Sequence, residues 1–62
     1  MNNEIWSKKL VASIICIMDL MNIYDPEERY ILVEMAKIAF TKEVEMKTVR
    51  HFIEFNHKFL SE

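Results

Sequence analysis

The feature that most narrows what this chain can fold into is its lack of glycine: none occurs in 62 residues, and Pro26 is the only proline. Glycine supplies the positive-φ positions of phosphate-cradling loops, two-residue hairpins and strained active-site turns, so those devices are removed together. What remains is helices joined by short links. A chain of this length forms one domain, 1–62, near the lower size at which an apolar core outweighs conformational entropy unaided. Cys16 has no second cysteine to pair with, and no Cys/His set has zinc spacing. Oligomerisation is the staple left. A hydrophobic content of 52% therefore predicts that some apolar surface meets a second copy.

The longest apolar run is LVASIICIMDLM, Leu10 to Met21, with one hydroxyl and no charge before Asp19. A membrane-spanning helix needs about 20 predominantly apolar residues, and this run reaches less than half that length before Asp19, with Lys8 and Lys9 on its other side. A secretory signal would place small residues where Ile23 and Tyr24 stand. The run reads instead as part of a first helix over about 4–22, in a cytoplasmic protein. Trp6, Leu10, Ile14, Ile17 and Met21 fall in one stripe at spacings of 4, 4, 3 and 4. Val11, Ile15 and Met18 widen it on one side and Leu20 on the other, leaving Lys8, Ala12 and Asp19 as a narrow polar strip. A helix so widely apolar calls for cover from two directions. Trp6, Leu10, Ile14, Ile17, Met18 and Met21 are accordingly predicted as the shared core and seam of a homodimer, with Met18 best suited to the interface itself.

The motif YDPEERY starts a second helix, over about 26–40. Asp25 is its N-cap, Pro26 its first residue, and Glu27 and Glu28 favour its positive end. Glu28, three residues after Asp25, is placed for a capping box. The predicted core face is Ile31, Leu32, Met35, Ile38 and Ala39, with Val33 and Phe40 nearby. A third helix over about 43–60 follows a turn near Thr41 to Val44, with Thr41 as a possible cap. The alternative is one straight helix from Pro26, because Ile31, Met35, Ile38, Met46, Val49, Ile53 and Leu60 stay close to one line. Met46, Val49, Phe52, Ile53, Phe55, Phe59 and Leu60 form the apolar half of the last segment, and the phenylalanines at 52, 55 and 59 read as core. The fold class is all-α, two or three helices, predicted to assemble as a dimeric helical bundle.

Chemistry is sparse. Cys16 sits mid-helix as a small hydrophobe, and His51 and His57, six apart, point to different sides of a helix. No catalytic residue, metal or cofactor is predicted, and the chain is read as non-enzymatic. Net charge is −2, without a polybasic or long acidic segment. The stretch KTVRHF resembles the opening of the recognition helix in helix-turn-helix proteins, with MAKIAFTKEVEMKTVRHF supplying both helices. The resemblance implies Val49 inward and Lys47, Arg50 and His51 toward DNA. Glu43 and Glu45 in the turn and the missing glycine depart from that pattern. Lys47, Arg50, His51 and Lys58 are otherwise the wet face of an amphipathic helix, open to nucleic acid or to a protein. Tyr24, Asp25, Glu27 and Glu28 make a possible acidic face toward a basic partner, although capping already accounts for them. The expected function is a small regulator or inhibitor, of a phage or plasmid type, acting by protein–protein binding as a homodimer. The alternative is a dimeric helix-turn-helix-like transcriptional regulator using residues 45–58.

Overall fold

The computed structural model describes residues 3–61, and among them the chain forms three helices, α1 (Asn3–Leu20), α2 (Pro26–Ala39) and α3 (Met46–Leu60). All three pack on one another around a single core. The radius of gyration, 11.0 Å, is close to the ~10.6 Å expected of a compact chain of this length.

α1 ends two residues earlier than its apolar pattern suggests, and it ends without glycine. Asn22 takes the left-handed conformation at φ 59°. Its N–H donates to the Asp19 carbonyl at 3.2 Å, and the N–H of Ile23 reaches back to the Met18 carbonyl at 2.9 Å. This pair of bonds is a Schellman stop, with asparagine in the place glycine usually fills. Buried Ile23 and Met18 supply the apolar contact that accompanies the motif. Arg29 then fastens the turn to α2: its Nη1 meets Asp19 Oδ1 at 2.8 Å and the Ile23 carbonyl at 2.9 Å.

α2 begins as predicted, with Pro26 in its first turn and Asp25 Oδ1 accepting from the Glu27 N–H at 3.4 Å. Glu28, expected to complete a capping box, instead turns its carboxylate to His57 Nδ1 of α3. The straight helix through residue 45 is not formed. The helical run stops at Ala39, and Trp6 of α1 donates its indole N–H to the Phe40 carbonyl at 3.1 Å. The Phe40 ring meets that of Phe52 edge-on, centroids 5.1 Å apart, and Val44 packs against the core. Tertiary contacts thus terminate α2 where no local breaker exists. α3 starts at Met46, three residues later than expected, with Glu45 rather than Thr41 at the cap position and no side-chain cap bond.

The core consists of Trp6, Leu10, Ile14, Met18, Ile23, Leu32, Ala36, Val49 and Ile53. Four of the six α1 residues predicted as a dimer seam, Trp6, Leu10, Ile14 and Met18, are therefore covered by α2 and α3 of the same chain. Ile17 and Met21 are half-buried beside them. The premise that α1 requires a second copy for cover is corrected, because three helices enclose the stripe that two would leave open. Met18 is core rather than interface. On α2, Leu32 and Ala36 face inward, while Ile38 is 81% exposed and Ala39 is exposed as well. On α3, Phe55 and Phe59 lie outside the core they were assigned to.

Candidate protein-binding surface

α3 organises the surface because its circumference divides into three parts. Val49 and Ile53, four residues apart, face inward, with Phe52 half-buried against Phe40. One side beyond them carries Phe55 and Phe59, 71% and 69% exposed. An i,i+4 spacing places these two residues on one side of the helix, next to Phe52. The remaining exposed part carries Lys47, Arg50, His51, Glu54 and Lys58.

The four basic positions singled out from the sequence do share that outward part. Their charge is partly matched within the chain: Lys47 Nζ lies 3.4 Å from Glu45 Oε2, and Arg50 Nε lies 3.3 Å from Glu54 Oε1. Glu54 thus pairs with Arg50, one turn earlier on the helix.

The acidic face at the start of α2 is largely occupied with structure. Tyr24 Oη donates to Asn22 Oδ1 at 3.2 Å, Asp25 caps the helix, and Glu28 holds His57. A carboxylate only accepts, so the His57 ring carries its hydrogen on Nδ1. Of the four residues, Tyr24, Asp25 and Glu27 are exposed and Glu28 is half-buried.

A groove of about 620 Å³ separates the C-terminal part of α1 from the start of α3. Ile17 and Leu20 line it from α1, Met21 from the turn that follows and Met46 from α3, and the only charged lining residues are Lys47 and Arg50. Cys16 also borders it, with an exposed thiol. The sequence did not reveal this groove, because it exists only once α3 crosses the α1–α2 pair. Leu20 was its one legible sign: it widens the apolar arc of α1 beyond what a three-helix core can cover, and it stands 80% exposed.

Among the described residues no three His, Cys, Asp or Glu side chains gather as a metal site, and no helix is long and apolar enough to cross a membrane. Every buried side-chain nitrogen or oxygen described has a hydrogen-bond partner. Against protein-family models, curated proteins and solved structures, the chain finds no match.

Proposed function

We propose that this chain is a small non-enzymatic regulator or inhibitor that acts by protein–protein binding, as a homodimer. The observation that carries the reading is the pair of outward phenylalanines one helical turn apart, Phe55 and Phe59, on a helix whose inner positions are fully buried. A monomeric soluble protein seldom leaves contiguous aromatic area in water, and such patches mark interaction sites. A phenylalanine buries about 150–250 Å² when covered. Four such rings, two from each copy, would supply on the order of 500 Å² toward the ~1,200–2,000 Å² of a stable interface. The seam thus moves from the α1 stripe to the aromatic side of α3, and the rest of the surface is left for the partner that is regulated. Regulation would be by steric block or by altering the partner's assembly.

The test is capture from nuclease-treated cell extract by the wild-type chain and by the Phe55→Ser/Phe59→Ser variant. A dominant protein retained by the first and lost or reduced with the second, whose copies no longer pair, supports the reading. Equal capture by both, or capture by neither, removes it.

One observation favours a second reading, DNA binding: Lys47, Arg50, His51 and Lys58 all stand exposed on one helix that follows a short link. The net charge of −2 and the lack of a polybasic segment weigh against it. DNA binding would weaken steeply with salt and be lost in Lys47→Ala/Arg50→Ala. No duplex binding at low salt eliminates it.

A further inference from the structure

We infer that the groove between α1 and the start of α3 seats an acidic amphipathic helix of the partner protein, an assignment that rests on the protein-binding reading above. The groove is a cleft between two helices, which a third helix fills by laying its apolar ridge along it. Its apolar lining runs along the last turn of α1, from Ile17 to Leu20, into Met21 of the turn that follows, and continues onto Met46. Two of those side chains are methionines, whose flexible thioethers mould to an incoming surface. Leu20 gives the groove an apolar wall already standing in water.

The occupant's charge follows from the rim. The whole chain carries −2, yet the groove's two charged residues are both cations, Lys47 and Arg50, so its sign is opposite to that of the molecule. They stand three apart and so project to neighbouring positions on α3. Their present partners, Glu45 and Glu54, hold them only through exposed ion pairs at 3.4 and 3.3 Å. Exposed pairs of this kind are weak and exchange readily for carboxylates arriving on another helix. A basic helix would meet two unfavourable charges at the same rim. On a second copy, Asp25 and Glu28 are already engaged in capping and in the bond to His57.

Cys16 makes the assignment directly testable, because the chain's one thiol borders the groove. The experiment measures the rate at which iodoacetamide alkylates Cys16 in the full chain. The added ligand is a synthetic helical peptide bearing leucines at i, i+4 and i+7 and glutamates on both flanks. Its counterpart carries lysines in place of the glutamates. The glutamate peptide is expected to slow alkylation about tenfold at ten times its half-saturating concentration, with little effect of the lysine peptide. Lys47→Glu/Arg50→Glu should lose the protection while keeping its helical signal and melting temperature. Leu20→Ser, at an exposed position, should weaken it in the same way. No slowing by the glutamate peptide, equal slowing by the lysine peptide, or protection unchanged by either variant overturns the assignment. Slowing that depends on protein concentration alone also overturns it, because a second copy then occupies the groove. Any of these results obtained while the wild-type chain still captures a partner that Phe55→Ser/Phe59→Ser loses overturns the groove alone and leaves the protein-binding reading standing.

Discussion

Trp6 of α1 donates its indole N–H across 34 residues of sequence to the main-chain carbonyl of Phe40, at 3.1 Å. That bond anchors the end of α2 at the start of α1, and it marks where the chain leaves helical geometry to cross toward α3. Trp6→Phe keeps most of the buried ring and removes the donor. It should cost about 1–2 kcal/mol, as expected when a partly buried carbonyl loses its partner. In a domain of this size that corresponds to a fall of roughly 4–15 °C in melting temperature, measurable by circular dichroism. An unchanged melting temperature would show that the bond does not hold the α2 terminus.

Asn22 bears the positive φ that closes α1. Asn22→Gly, which adopts that conformation freely, should leave stability unchanged or raise it slightly. Asn22→Val should lower it by roughly 1–2 kcal/mol, because a branched Cβ clashes there. Denaturant melts of the two variants check this, and the opposite order would contradict the Schellman assignment.

Ile14 is fully buried among side chains of its own chain. Ile14→Asp places a carboxylate with no available partner in that core, and a domain of this size has only about 3–9 kcal/mol of stability to lose. The variant should be unfolded at every protein concentration. Recovery of the fold on raising concentration would mean that Ile14 lies in a seam between copies after all.

Replacing Phe55 and Phe59 by serine should behave differently. Both side chains are exposed, so the fold should change by no more than about 0.5 kcal/mol per position. The helical signal should survive while association is lost. Unfolding of this variant would show that the two rings support the core instead of facing a partner.

Much of the fold was legible in local patterns. Asp25, Pro26, Glu27 and Glu28 mark the start of α2 by cap and dipole chemistry, and the 4-residue spacing of Trp6, Leu10 and Ile14 marks the inward side of α1. Illegible were the features that depend on how many helices share the core. Periodicity shows which residues lie on one side of a helix but not how wide a side its neighbours cover. Ile38, Phe55 and Phe59 consequently read as core and stand in water, while Met18 reads as interface and is enclosed. The end of α2 was ambiguous for a related reason: the hydrogen bond and the ring contact that stop it come from Trp6 and Phe52, far away in sequence. Of the candidate sites, the outward group Lys47, Arg50, His51 and Lys58 was foreseen, and the groove that Lys47 and Arg50 border was not.

The proposed homodimer requires that a chain able to close its own core still pairs, through the aromatic side of α3. Sedimentation equilibrium of the wild-type chain and of Phe55→Ser/Phe59→Ser, at micromolar concentration, measures this. A wild-type dimer and a folded, monomeric variant are predicted. A wild-type monomer, or a variant that dimerises as strongly as the wild type, would contradict it.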